Sequence, residues 1–295
     1  MQETRGWERF PIESGCGVVK LLEWRYFLEY VHQQMLDLRD YVWRGHRCDD
    51  WKLESKLDRL IRRGKVAASN PQFRQLHLGA FKYATRGRRG ANPPEIEKEN
   101  DWWALGQHHG LVTPLLDWTD SPFVAAYFAF VETGDPQTQS RAVFALHRPS
   151  VQHKSWEILT EQRKEQEKKR KEEQVRLAKK RIDERVRALL EAAPLPEIGP
   201  PVEFVRPMSN ENQRLVSQAG LFTRGPDGIP LEDWVQENFP ALNTECVLLK
   251  VTIPNEDRED CLKTLNRMNI NHLTLFPDLH GASKYCNLYG EIDTY

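Results

Sequence analysis

Arg44 is the side chain with the most to explain. It follows the β-prone, apolar triplet Tyr41-Val42-Trp43 and precedes Gly45, so a guanidinium stands at the end of a stretch that reads as buried. Arginine does not lose its proton to escape burial, and a buried cation needs an anion beside it. The sequence offers two kinds. Asp117 lies inside a long apolar and aromatic segment, residues 101–131, where His108, His109, Thr113, Asp117 and Thr119 are polar interruptions. One outcome is an Arg44–Asp117 ion pair that serves structure alone. The other is a pocket in which Arg44 grips a phosphate-bearing ligand in a planar, two-pronged contact. The surrounding His109, Thr113 and Thr119 are more polar groups than one ion pair needs, which favours the pocket.

Other chemistries lack their residues. No P-loop, G-x-S-x-G, H-E-x-x-H or dinucleotide-binding glycine fingerprint occurs. Adjacent His108 and His109 would point apart on either a helix or a strand, and no third ligand is spaced near them. No metal site is expected. The five cysteines (Cys16, Cys48, Cys246, Cys261 and Cys286) form no Cys-x-x-Cys pair and read as reduced structural thiols.

Several elements must position these residues. Trp24, Phe27, Val31, Met35 and Leu38 recur at helical steps and predict a helix over 21–38, leading into a strand at 41–44. Leu53, Leu57, Leu60 and Ile61 predict a short helix within 53–64. Ser121-Pro122 is a helix start, with Ser as N-cap and Pro in the first turn. Small Ala125, Ala126 and Ala129 would let that helix lie close on a sheet. Ala142–Leu146 and Cys246–Ile253 read as strands, and Leu273–Phe276 as a further short one. Asn212–Phe222 reads as a helix closed by Gly220, 258–268 as another helix, and 85–94 (TRGRRGANPP) as a loop. The expected fold is one α+β domain over 1–295, a mixed sheet flanked by helices.

The 295 residues carry 42 Lys+Arg and 43 Asp+Glu, a net charge of −1. That balance gives no global attraction to nucleic acid or to an anionic membrane. No apolar run reaches the about 20 residues of a membrane span, and no secretory leader pattern opens the chain. A soluble, cytoplasmic protein is expected. Residues 161–187 differ, with 12 Lys/Arg against 7 Asp/Glu. The span 155–192 reads as a long charged helical insertion, ended by Pro194, Pro196, Pro200 and Pro201. Val175, Ile182 and Leu189 make too few heptads for a coiled coil. A solvated projecting helix is the first reading, an arm for a protein partner or for self-association is the second, and a nucleic-acid arm is the third and least favoured.

Longer blocks then become visible. They are Tyr41-Val42-Trp43-Arg44-Gly45, Gln107-His108-His109-Gly110-Leu111-x-Thr113-x-Leu115-Leu116-Asp117-Trp118-Thr119, and Pro122-x-x-Ala125-Ala126-Tyr127-Phe128-Ala129. Two more follow, Asn212-x-Arg214-x-x-x-Gln218-x-Gly220-Leu221-Phe222 and Leu275-Phe276-Pro277-Asp278-Leu279-x-Gly281. Together these closely resemble the FRG-domain family, which is named for an aromatic-Arg-Gly triplet; Trp43 stands where Phe or Tyr is usual. The order of Arg44-Gly45 and Tyr127-Phe128-Ala129 is also similar in kind to ADP-ribosyltransferases, in which an early strand ends in a basic and a small residue. That resemblance implies NAD as substrate and an ADP-ribosyltransferase-like effector in a defence setting. Arg44 would clamp the phosphates, and Trp43, Tyr127 or Phe128 would stack on a base. Gly45, His109, Thr113 and Thr119 would line the pocket, and Asp117 or Glu245 would be the catalytic carboxylate. The competing reading is a non-catalytic module that binds a nucleotide or a partner.

Overall fold

A computed structural model describes residues 6–133, 138–178, 198–206, 218–240 and 245–295. In chain order the elements are β1 (Trp7–Arg9), β2 (Cys16–Leu21) and α1 (Arg25–Tyr30), which runs on as a π-helical turn over Val31–Met35. Next come β3 (Tyr41–His46), α2 (Lys56–Arg63), α3 (Lys65–Ala68), α4 (Phe73–Ala84) and α5 (Glu99–His108). They are followed by β4 (Leu115–Thr119), α6 (Pro122–Phe130), β5 (Ser140–His147) and α7 (Arg148–Ala178). The chain closes with β6 (Glu203–Val205), β7 (Gly220–Arg224), α8 (Leu231–Asn238), β8 (Leu248–Pro254), α9 (Arg258–Arg267), α10 (His272–Leu275) and α11 (Leu279–Glu291).

The eight strands form one mixed sheet in the order β1-β2-β8-β5-β3-β4-β7-β6, with β2 and β8 parallel and the other pairs antiparallel. The fold is α+β. Strand β5 runs through the middle with six consecutive buried residues, Arg141 among them. On one face α1, α6, α9 and α11 pack over Trp43, Val143, Ala145 and Val251. On the other, α8 and the start of α7 cover Val42, Phe144, Leu146, Leu116 and Trp118. A third, smaller cluster joins α2, α4 and α5 to Leu115 and Phe222.

Helix α6 begins as its sequence requires, with the Ser121 hydroxyl accepting from the Val124 N–H at 3.3 Å. It sits unusually close to β3. A Cβ built on Gly45 would lie 2.0 Å from the Ala125 carbonyl oxygen and 2.6 Å from the Ala129 nitrogen. The glycine after Arg44 and the alanines of α6 are therefore two halves of one contact. The other end of α6 is held by cations. Buried Arg141 donates to the carbonyls of Ala129 (2.6 Å) and Glu132 (2.8 Å), and Arg258 to those of Phe130 and Val131 (both 2.9 Å). These arginines satisfy carbonyls that a helix C-terminus leaves without partners.

The expected strands at 41–44, 142–147 and 246–253 are present, and two expectations are corrected. Residues 272–275 are helical. Asn271 accepts from the Leu273 and Thr274 N–H groups, and its own N–H bonds to Thr274 Oγ1, a capping box that outweighs the β-prone run after it. Of the helix expected over 212–222, residues 212–217 lie outside the described residues, while Gly220–Phe222 open strand β7. There Leu221 and Phe222 are buried in different clusters, on either side of the sheet, so a short apolar run is satisfied by strand alternation. Strands β1, β2, β4 and β6 are additional to those expected. Helix α7 starts at Arg148, and Val151, Ser155 and Leu159 on it are buried. The charged surface begins after that point, and the part of the arm beyond residue 178 lies outside the described residues. No described helix is long and apolar enough to cross a membrane.

Candidate functional site

The sheet is nearly cut in two between β3 and β4. Strand β3 pairs with β5 at six positions and β4 with β7 at five, but β3 and β4 share the single pair Trp43–Thr119. Backbone groups along such a gap still need partners. Arg44 provides one, its Nη1 donating to the Asp117 carbonyl oxygen at 2.7 Å. A cleft of about 400 Å³ opens at this gap. Its walls include Arg44, Lys56, Asp117, Thr119, Phe128 and Phe276. Trp43 and Gly45 also reach it.

Arg44 is held from both sides. The same Nη1 lies 3.4 Å from Asp117 Oδ2, and Nε donates to His46 Nε2 at 3.0 Å. Because that imidazole nitrogen accepts, the ring proton sits on Nδ1, which faces the Trp51 carbonyl at 3.3 Å. Burial is the main cause that pushes the His46 pKa down, to about 3, and Arg44 adds to it. His46 is thus a neutral acceptor that aims the guanidinium. Burial also lowers the Arg44 pKa, with Asp117 opposing, and the guanidinium stays charged.

Asp117 is positioned in turn by the Gln-His-His-Gly block. Gln107 Nε2 donates to Asp117 Oδ1 at 2.5 Å, and Thr113 Oγ1 donates to Gln107 Oε1. The long motif is therefore a hydrogen-bonded chain: Thr113, Gln107, Asp117, Arg44, His46. Its middle is open to water, since the Asp117 side chain is 62% exposed and that of Arg44 20%. On the opposite wall, Thr119 Oγ1 donates to the Gln218 carbonyl at 2.7 Å, and Gln218 Nε2 donates to the Leu275 carbonyl at 3.1 Å. That ties the two later blocks to the first. Gly281 completes the junction: its N–H donates to Asp278 at 2.8 Å, and a Cβ there would meet the Phe276 carbonyl oxygen at 2.1 Å.

Of the residues nominated from sequence, Trp43, Arg44, Gly45, Asp117, Thr119 and Phe128 come together at the cleft. Thr113 is buried behind it and acts through Gln107. Tyr127 does not reach it. Its hydroxyl is buried 2.6 Å from His272 Nδ1, and burial raises its pKa. His109 is exposed in the turn after α5, its ring against that of His108. Glu245 is exposed before β8, bonded to Ser150 and 3.4 Å from His147 Nδ1, at the Tyr41 end of β3. His46, Lys56, Gln107, Gln218 and Phe276 were not nominated. Three of them stood inside the quoted motif blocks, and His46 directly follows Arg44-Gly45. Lys56 had no signal beyond opening a helix.

Residues 39–138 match the family model for the FRG domain. The matched span runs from just before β3 to just before β5, and so contains both strands of the cleft. No curated protein and no solved structure matches the chain.

Proposed function

We propose, from the match of residues 39–138 to the FRG-domain model, that the β3–β4 cleft binds a phosphate-bearing nucleotide, with NAD the first candidate. One observation carries the reading: a pre-aimed guanidinium and the Lys56 ammonium share a cleft with the aromatic rings of Phe128 and Phe276. Cations without enough carboxylate to neutralise them suit a phosphate. Aromatic faces beside them suit a base. Arg44 grips the phosphate, and His46 keeps its fork in plane.

Transfer of ADP-ribose is the catalytic form of the same reading. Asp117 is the one carboxylate in the wall of this cleft among the described residues. It would stabilise the oxocarbenium-like ribose as the bond to nicotinamide breaks and an acceptor's nucleophile bonds to the same carbon. A non-catalytic nucleotide module is the alternative, favoured by the engagement of both Asp117 oxygens with Gln107 and Arg44. Calorimetric titration with NAD, ADP-ribose and ADP, run beside an assay for released nicotinamide, separates the two. Catalysis predicts release that falls roughly 100-fold in Asp117→Asn while NAD still binds. Binding without release identifies the module. Absence of binding by all three ligands refutes the nucleotide reading altogether.

A further inference from the structure

We infer that a second groove, formed by helix α2 and Trp51, is a docking surface for single-stranded nucleic acid. The Ser55-capped helix α2 (KLDRLIRR) places Lys56, Arg59 and Arg63 along one side, at steps of three and four residues, while Leu57 is buried. Together with Arg47 and Lys52 they border a groove of about 790 Å³ whose walls hold six Lys/Arg side chains and two carboxylates, Asp50 and Glu54. Some of this charge is spoken for. Lys52 pairs with Asp233 at 2.6 Å, Arg62 with Glu54 at 2.5 Å, and Arg59 donates to the Glu54 carbonyl at 2.6 Å. Lys56 and Arg63 form no ion pair among the described residues, and Arg47 lies 4.8 Å over the Trp51 ring. The net charge of −1 hides this local excess.

Trp51 decides the kind of polyanion. It is 46% exposed at the edge of the cationic groove. Its backbone is fixed by the bond from His46. An exposed aromatic ring on an anchored backbone, beside unpaired cations, is the arrangement that stacks a base while the backbone phosphates follow the charge. An acidic peptide would use the cations and leave the indole idle. The groove adjoins the β3–β4 cleft at Lys56, which borders both. The inference stands whether or not that cleft takes a nucleotide.

Fluorescence anisotropy of the full chain with a labelled oligothymidylate of about 12 nucleotides tests it. Three free cations predict a slope of log K against log salt of about −2 between about 50 and 200 mM. Arg63→Glu should flatten that slope and weaken binding by about tenfold. Trp51→Ala should cost about tenfold, the loss of one stacked base, with the slope unchanged. Arg63 is exposed, so Arg63→Glu should melt like the parent, and Trp51→Phe, which keeps a ring at that position, should recover most of the binding lost in Trp51→Ala. In the Arg44→Ala variant, oligothymidylate binding that persists while NAD binding is lost supports an independent groove. Three results would overturn the proposal: no oligothymidylate binding at the low-salt end, a Trp51→Ala variant that binds like the parent, or polyglutamate bound as tightly as the oligonucleotide. The last would assign the groove to an acidic protein surface.

Discussion

At the scale of single residues, the Arg44–Asp117 pair answers to solvent as well as to its partner. Stranding a buried carboxylate costs about 3–5 kcal/mol, but Asp117 is mostly exposed and would be rehydrated if Arg44 were removed. Arg44→Ala is therefore expected to cost only about 2 kcal/mol, mainly the charge-assisted bond to the Asp117 carbonyl. Nucleotide binding should collapse in the same variant. Thermal melts with and without NAD check both halves, and a loss well above the expected value with no ligand effect would make Arg44 a structural group. Arg44→Lys keeps the charge and loses the fork, so it should recover stability better than binding. His46 sets a pH limb. Its folded pKa lies near 3, below the usual histidine value, so the unfolded chain binds the proton more tightly. Its contribution is complete above about pH 6.5 and is lost as pH falls toward 3, at up to about 1.4 kcal/mol per pH unit. Urea titrations across that window should show a shallower acid limb in His46→Gln, and an unchanged limb would mean that other groups control it.

At the scale of elements, two contacts make opposite demands. Gly45 lets α6 rest on β3 backbone to backbone, and neither the Ala125 carbonyl nor the Ala129 amide can move aside as a flexible side chain could. Gly45→Ala is expected to destabilise by roughly 3 kcal/mol or to displace α6, which a denaturant midpoint would register. Helix α7 divides along its length. Val151, Ser155 and Leu159 belong to the packed molecule, whereas Glu161–Arg176 is charged and largely exposed. Replacing 155–192 by a short flexible linker should lower the melting temperature because it removes Leu159. Replacing 163–192 should leave it nearly unchanged. If the shorter deletion alters oligomeric state at constant melting temperature, the arm mediates self-association.

At the scale of the whole molecule, the cleft exists because the sheet is almost two sheets. Strands β1, β2, β8, β5 and β3 form one part, β4, β7 and β6 the other, and α6, following directly on β4, packs onto β3 and β5. Limited digestion with a protease of broad specificity, such as proteinase K, should reflect this. Residues 86–90 stand in an irregular, largely exposed segment and should be cut before 115–130, where β4 and α6 are largely buried. Early cleavage in that second region would show that the two parts open in solution.

Much of this could be read from local pattern. The strand carrying Arg44-Gly45, the Ser-Pro start of α6, the alanines that admit a close neighbour, and strands β5 and β8 follow from propensity, capping and periodicity, all short-range effects along the chain. Tertiary structure decided the rest. Tyr127 and Phe128 were equally good aromatic candidates, yet neighbouring helix positions point about 100° apart. Only the packing of α6 on β3 determines that Phe128 meets the cleft and Tyr127 the core. Glu245 is a sound carboxylate by type, and register in the sheet places it at the Tyr41 end of β3, away from this cleft. The apolar run at 220–222 fits a helix or a strand until β4 and β6 lie on either side of it. Local sequence sets which face of an element is apolar, and the identity of the neighbour across that face is a property of the assembled sheet.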